Sequence, residues 1–262
     1  MPDIEKVYDG LTSKNKFLNA LYGMVNRIIK VNEMNDICWR YRDKKRIDFV
    51  DKVFEERGIK LVYDQDRLNQ LQLTEPFVIV SNHPHGIVDG LLLVKLFDRS
   101  RKQFKIVVNS YLSPIKTLAE NFLLVDIFDD STDYAFKFRA CKSILENISQ
   151  GNTVAFFPAA DISRFSFRKF RIEDTPWSST FSKIISKQKP PILPIYISGR
   201  NSYLFYLLIR LYPPLGKATL IREFFLKRNF SVHVKFGELI PKEELHQKDL
   251  GQYLRNKVYS LR

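Results

Sequence analysis

The stretch that decides the fold is residues 77–93, FVIVSNHPHGIVDGLLL, in which two apolar runs flank a polar turn. The run 77–80 is continuous and mostly β-branched, which is typical of a strand buried on both faces of a parallel sheet. Residues 82–86 are rich in turn formers, and the apolar pattern over 90–97 is long enough for a helix that Asp89 would cap. The sequence therefore predicts a strand, a tight loop and a helix in succession.

The loop carries two side chains that suit acid–base chemistry, His83 and Asp89. A carboxylate that holds one imidazole nitrogen fixes the tautomer and leaves the other nitrogen as a general base. We predict these residues as a catalytic pair whose nucleophile comes from a substrate, and we expect His85 to have a supporting structural role. Two alternatives stay open: a turn without chemistry, and a metal site. No metal is expected, because no further His, Cys or acidic cluster at ligand spacing completes such a site.

At Asn82–Gly90 (NHPHGIVDG) the sequence resembles the lysophospholipid acyltransferase family (1-acylglycerol-3-phosphate acyltransferase-like), whose members carry a His and an Asp in a loop after a strand. Five residues separate His83 from Asp89, one more than is usual in the family. In this the chain is similar to the hemolysin-type branch, which is associated with O-acylation of lyso-ornithine and lyso-glycine lipids. The resemblance implies a glycerolipid acyltransferase-like α/β fold with His83 and Asp89 at its catalytic centre.

Two later segments follow predicted strands and carry the same resemblance: residues 158–164 (PAADISR) and 199–202 (GRNS). In an open α/β sheet the carboxyl ends of parallel strands lie at one edge, so both segments should meet the loop at 82–89. The resemblance implies that substrates are bound by residues of all three loops, namely Asn82, Pro158, Asp161, Arg164, Gly199, Arg200 and Asn201.

Several features of these segments leave alternatives open. Ala160 and Asp161 stand where the family has Gly and Glu, so a close backbone approach to substrate is in doubt, and an ordinary loop with a solvated arginine is the alternative. Arg200 is predicted as an anion clamp or as part of a structural salt bridge. Residues 203–211 (YLFYLLIRL) are too short to span a membrane. They could line an acyl channel, contact a membrane interface or form a core helix.

The charge balance predicts an anionic partner. The chain has 42 Lys and Arg against 29 Asp and Glu, a formal net charge of +13. Nucleic acid and an anionic membrane surface both fit that charge, but the 21 Phe, 12 Tyr and two Trp favour the membrane. No nucleic-acid-binding signature accompanies the basic residues, so no nucleic acid is expected. The sequence also lacks GxSxG, HExxH, P-loop and GxGxxG motifs.

With 262 residues the chain is long enough for one large α/β domain. We predict an N-terminal helical region over 1–60, packed on the domain or on a membrane, and an acyltransferase-like domain over 61–262. Cys38 and Cys141 form no CxxC pattern, which favours a reducing compartment. Because the first residues do not read as a secretory signal and no apolar run is long enough to span, the predicted location is cytoplasmic, peripheral on the cytoplasmic membrane face.

The periodicity predicts a mostly parallel sheet flanked by helices, with an N-terminal helical extension. Strands are predicted at 77–80, 104–109, 123–128, 153–157, 192–198 and 231–236. Helices are predicted at 15–30, which is amphipathic, within 32–60, after Asp89, from Ser113 toward Phe122, at 132–151, at 177–187 and from Pro241 onward.

The predicted function is transfer of an acyl group from an acyl thioester, on acyl carrier protein or coenzyme A, to the hydroxyl of a lyso-lipid in membrane lipid biosynthesis. No bound cofactor is expected, since the thioester is a co-substrate. The alternatives are a lipid hydrolase that uses the same pair on water, and a non-catalytic basic protein that binds membranes or nucleic acid.

Overall fold

The computed structural model describes residues 27–72, 75–99, 103–126 and 134–262. Residues 15–26 of the predicted amphipathic helix at 15–30 lie outside these ranges. The helices are α1 (Val31–Arg40), α2 (Arg46–Arg57), α3 (Gln65–Gln72), α4 (Ile87–Phe97), α5 (Tyr134–Ser149), α6 (Ser179–Gln188), α7 (Tyr203–Leu211), α8 (Pro213–Ala218), α9 (Leu220–Leu226) and α10 (Leu250–Tyr259). The strands are β1 (Lys60–Val62), β2 (Val78–Ser81), β3 (Phe104–Asn109), β4 (Phe122–Val125), β5 (Thr153–Phe156), β6 (Arg164–Ser166), β7 (Arg171–Glu173), β8 (Ile192–Ile197) and β9 (Ser231–Phe236).

Seven strands form one sheet in the order β1-β9-β8-β2-β5-β3-β4. Every neighbouring pair is parallel except β8 and β9, which pair antiparallel with Ile195 opposite Phe236. The predicted mostly parallel α/β sheet is thus confirmed. Strands β6 and β7 form a separate antiparallel hairpin that the periodicity did not predict.

The sheet has an apolar layer on each face. Alternation along β2 sends Ile79 to one face and Val78 and Val80 to the other, and all three are fully buried or nearly so. Buried side chains of α1, α2 and α4 cover the first face, and those of α5, α6 and α10 cover the second. The central strand therefore lies between two helical layers, as its continuous apolar run predicts.

Three predicted helix positions were wrong. Helix α4 begins at Ile87, so Asp89 lies inside the first turn rather than at the cap. The predicted helix from Ser113 toward Phe122 is absent, because the short link between the parallel strands β3 and β4 is taken up by two 3₁₀ turns, at Ser110–Leu112 and Lys116–Asn121. The last helix begins at Leu250 with Asp249 as its cap, and Pro241 precedes only another 3₁₀ turn.

Candidate active site

The three predicted loops meet at one edge of the sheet. Strands β8, β2 and β5 are adjacent and parallel, so the segments that follow them leave the sheet from the same side. Backbone contacts then join the loops, since Ser163 N donates to His83 O at 2.9 Å and the His85 ring lies 2.8 Å from Ser198 O. The sequence-predicted convergence is therefore present in the structure.

His83 and Asp89 are in direct contact, with Nδ1 of the imidazole 2.9 Å from Oδ2 of the carboxylate. The Asp89 side chain is fully buried, whereas 18% of the His83 side chain is exposed. Nδ1 is close but not aligned as a hydrogen-bond donor, and catalytic hydrogen bonds are often poorly aligned before a substrate binds. With Nδ1 turned to the carboxylate, Nε2 is the nitrogen left to take a proton.

The start of helix α4 fixes the Asp89 carboxylate. Its Oδ2 accepts hydrogen bonds from the backbone N–H of His85 at 2.7 Å and of Gly86 at 2.9 Å. Gly86 has a φ of 81°, and a Cβ there would lie 2.9 Å from the Ile162 side chain, so glycine suits this position on both counts. The tight turn therefore aims Asp89 back toward His83.

His85 is buried and serves the scaffold. Its Nε2 lies 2.8 Å from the carbonyl of Ser198, which can only accept, so the imidazole donates there. Burial lowers the pKa of His85 below its ordinary value. A Cβ on Gly199 would fall 2.5 Å from the His85 ring, so glycine is needed for the loop to approach so closely.

The loop after β5 lies against His83. Phe157 stacks on the His83 ring with centroids 3.9 Å apart. The Pro158 carbonyl accepts a hydrogen bond from the backbone N–H of Ser178 at 2.9 Å. Within the same loop, Arg164 pairs with Asp161 at 2.5 Å, so the guanidinium already has a carboxylate partner.

The loop after β8 presents the guanidinium of Arg200. Arg200 is exposed and its guanidinium lies 4.1 Å above the Tyr203 ring, and within the described ranges it forms no ion pair. Among the described residues, Arg200 therefore has no partner for the alternative of a structural salt bridge. Asn201 is buried, and its Oδ1 accepts a hydrogen bond from Lys227 Nζ at 2.5 Å.

Asn82 joins the central strands. Its amide donates to Ile197 O at 2.8 Å and accepts from Ile197 N at 2.7 Å. Both polar ends of the side chain are thus used in tying β2 to β8 at the point where the loops begin. Substrate binding by Asn82, as by the other predicted binding residues, stays a prediction.

The family model described as acyltransferase matches residues 13–262 of the chain. The chain belongs to the acyltransferase family. The resemblance to lysophospholipid acyltransferases expected from the sequence is thereby confirmed, and the protein is an acyltransferase enzyme.

Individual relatives and a solved structure agree with this family. A lyso-glycine lipid O-acyltransferase of Bacteroides thetaiotaomicron is 27% identical over 90% of this chain and 88% of the relative, and one of Phocaeicola vulgatus is 23% identical over 99% and 94%. The crystal structure of the 1-acyl-sn-glycerophosphate acyltransferase PlsC from Thermotoga maritima covers 95% of each chain, with 16% identity and a TM-score of 0.51. At that identity the solved structure supports the fold of this acyltransferase alone.

Sequence reasoning missed Asp174, which supports the loop that carries His83 in this acyltransferase. Its Oδ1 accepts from His83 N at 3.2 Å and from Ser163 Oγ at 2.5 Å, and its Oδ2 accepts from Trp177 Nε1 at 3.1 Å. Burial raises the pKa of the Asp174 carboxyl, against the opposing effect of these hydrogen bonds. No sequence pattern marks the residue, because 91 positions separate it from His83.

A second missed cluster lies behind the loop after β8. Glu223 accepts from the backbone N–H and the hydroxyl of Ser202, each at 2.7 Å. Lys227, one turn further along the chain, is buried and donates to Asn201, and burial lowers its pKa. Helix α9 and its end therefore hold both residues that follow Arg200, which leaves Arg200 to project from a fixed loop.

Among the residues that the structure describes, no helix has the length and hydrophobicity required to cross a bilayer.

Proposed function

We propose that this acyltransferase moves a fatty acyl group from an acyl thioester to the hydroxyl of a lyso-lipid. His83 takes the hydroxyl proton through Nε2 while the oxygen attacks the thioester carbonyl, with Asp89 orienting the ring. The new C–O bond forms as the C–S bond breaks, and the proton passes on to the departing thiolate. The contact between His83 and Asp89, at the end of the central strand in a chain of this family, is the observation that carries the proposal.

The acceptor we propose is a lyso-aminolipid of the lyso-glycine type. Support comes from the names of two relatives that align over most of this chain. A glycine head group ends in a carboxylate, which a guanidinium binds through two parallel hydrogen bonds. Arg200 is the better candidate for that contact, because Arg164 is already paired with Asp161.

For the donor we propose an acyl thioester of acyl carrier protein or coenzyme A, used as a co-substrate without any bound cofactor. The resulting reaction belongs to membrane lipid biosynthesis, carried out at the cytoplasmic face of the membrane by a peripherally bound protein. The net charge of +13 supports binding to an anionic lipid surface.

Product analysis tests this function directly. Purified protein is incubated with labelled acyl thioester of either carrier and with a lyso-glycine lipid, a lyso-ornithine lipid or lysophosphatidic acid. We expect labelled diacyl product with the lyso-glycine lipid, because its hydroxyl and carboxylate match His83 and Arg200. Labelled free fatty acid as the only product with every acceptor would contradict transfer and support hydrolysis.

The same assay tests the head-group contact. Arg200→Lys keeps the charge but loses the planar fork. The transition state with the acceptor should therefore lose about 1–3 kcal/mol of stabilisation, which lowers kcat/KM for the acceptor, while the KM for the acyl donor stays unchanged. Arg139→Lys, at an exposed arginine on α5, is the matched control. Unchanged acceptor kinetics in a stable Arg200→Lys variant would remove Arg200 from the site.

A further inference from the structure

The hairpin β6–β7 carries exposed aromatic residues at its tip. Phe167 is 56% exposed and Phe170 82% exposed, and Arg168 and Lys169 lie between them on the turn. Phe165 lies edge-on to both phenylalanine rings, with centroids 5.0 Å and 6.5 Å away, which supports the tip from below. Two large apolar rings held outward on a turn have no role in the core.

Helices α7 and α8 add a second exposed apolar surface. The inner side of α7 packs into the protein through Phe205, Tyr206 and Ile209. Its outer side is also apolar, which is unusual for a helix facing water. The exposed large apolar residues on this outer side, at the junction of the two helices and on α8 are Tyr203 (71%), Leu204 (46%), Leu207 (53%), Leu211 (71%), Tyr212 (61%) and Leu215 (40%).

The hairpin and the helices form one surface. The Arg210 guanidinium of α7 lies 4.5 Å above the Phe167 ring of the hairpin tip. Beneath this contact Ile162, Phe205 and Ile209 are buried together, with Phe165 packed against them. We call the set formed by residues 167–170 and the exposed residues of α7 and α8 the aromatic surface.

The charge around the aromatic surface is net positive. Residues 161–173 contain four Lys or Arg against Asp161 and Glu173, and residues 203–223 contain three against Glu223, so each segment has a net charge of +2. Five of these seven cations pair with those three acids, whereas Arg168 and Arg210 form no ion pair with a described residue. Exposed aromatic and aliphatic side chains within a net positive surface suit binding at the interface of an anionic bilayer. Large exposed apolar patches on soluble proteins mark interaction sites, and the net positive charge of the two segments indicates that the partner here is anionic.

Both parts of the surface directly continue the loops of the candidate active site. The hairpin begins at Arg164, at the end of the loop after β5, and α7 begins at Tyr203, directly after the loop that carries Arg200. We propose that the aromatic surface docks on an anionic lipid bilayer and so places the opening of the active site against the membrane. The inference deepens the proposed function, since it rests on an acceptor that resides in the membrane.

Vesicle flotation of the full chain tests the docking surface without any activity assay. Vesicles of phosphatidylcholine alone are compared with vesicles that also contain phosphatidylglycerol, at low and high salt. The test variant is Phe167→Ser/Phe170→Ser. The matched control is Tyr134→Ser/Phe138→Ser on α5, whose rings are 85% and 64% exposed and thus comparable.

We expect the wild type and the control to float with anionic vesicles, and less so at high salt because the attraction is screened. The hairpin variant should lose at least tenfold in partition, since two exposed rings no longer enter the interface. A second variant, Leu211→Ser/Leu215→Ser, should lose partition similarly. Thermal unfolding midpoints of both variants should match the wild type.

Wild-type partition by the hairpin variant would overturn the proposal, as would a wild type that does not float. A larger mass of the wild type than of the hairpin variant by light scattering, without vesicles, would mean that a second copy covers the surface and would also overturn the proposal. Transfer to a short-chain lyso-lipid, dissolved as monomers, separates the two proposals. If the wild type does not acylate this monomeric lyso-lipid but still floats with anionic vesicles, the proposed function is refuted and the docking surface is not.

Discussion

Ala160 adopts the left-handed backbone conformation, with a φ of 58°, in an exposed turn of the loop after β5. A Cβ makes this conformation unfavourable by roughly 1–2 kcal/mol relative to glycine. The family resemblance places glycine at this position, and the structure shows why glycine suits it. With alanine in place of glycine, this chain therefore keeps the same turn at the cost of local backbone strain.

Replacing Ala160 with glycine should stabilise the protein. The relief of the positive φ exceeds the entropy that glycine adds to the unfolded chain, leaving a net gain of about 0.5–1 kcal/mol in the free energy of unfolding. Urea denaturation measures the change. Ala159→Gly is the control, because Ala159 is buried and has no positive φ, so it should lose stability. Equal or lower stability of Ala160→Gly would show that the turn is not strained.

At the scale of elements, the sequence predicted best where one pattern repeats over a whole segment. The apolar run of β2 and the glycine after α5, Gly151 with a φ of 76°, both mark boundaries that the structure has. The hairpin β6–β7 escaped prediction because its strands are three residues each and carry charged residues. The prediction of a helix from Ser113 was wrong, because a local capping pattern carries no information on the short distance that the chain must cover between β3 and β4.

The residues of the candidate site also fall into two groups, those that sequence patterns predicted and those that they did not. The segments around His83, Asp89 and Arg200 lie in loops that follow long apolar strands, so the order of strands alone places them together. Asp174 and Lys227 reach the same loops from later elements, through contacts that depend on tertiary packing. Such contacts leave no periodic signal in a single sequence.

The element that follows β7 should influence turnover through Asp174. Asp174→Asn supplies one acceptor and one donor where three buried donors now share a carboxylate, so at least one of them loses its partner, at a cost of about 1–3 kcal/mol in unfolding free energy. Two of those hydrogen-bond donors belong to His83 and Ser163. We therefore expect kcat to fall by a larger factor than the change in KM for the acyl thioester.

Steady-state kinetics and chemical denaturation of the same samples check this. Asp249→Asn is the control, since Asp249 caps α10 on the surface and asparagine caps about as well. A folded Asp174→Asn variant with wild-type kcat would show that the contact with the His83 backbone has no bearing on catalysis.

At the scale of the whole molecule, the pair of His83 and Asp89 follows the buried central strand of the sheet. Strand β2 is central in the sheet, its four residues are buried, and its two neighbours carry the other two loops. The exposed aromatic surface and the net charge of +13 belong to the outside of the molecule. In the function we propose, this buried centre positions the base and the aromatic surface brings it to the acceptor.

The most direct test of the account is the transfer rate of His83→Ala, measured with the acceptor that the wild type uses best. The account predicts a loss of about 10²- to 10⁴-fold or more, because a positioned general base is removed, with cooperative unfolding retained. His233→Ala, at an exposed histidine on β9, should keep the wild-type rate. A folded His83→Ala protein that transfers acyl groups at close to the wild-type rate would contradict the catalytic role of the pair.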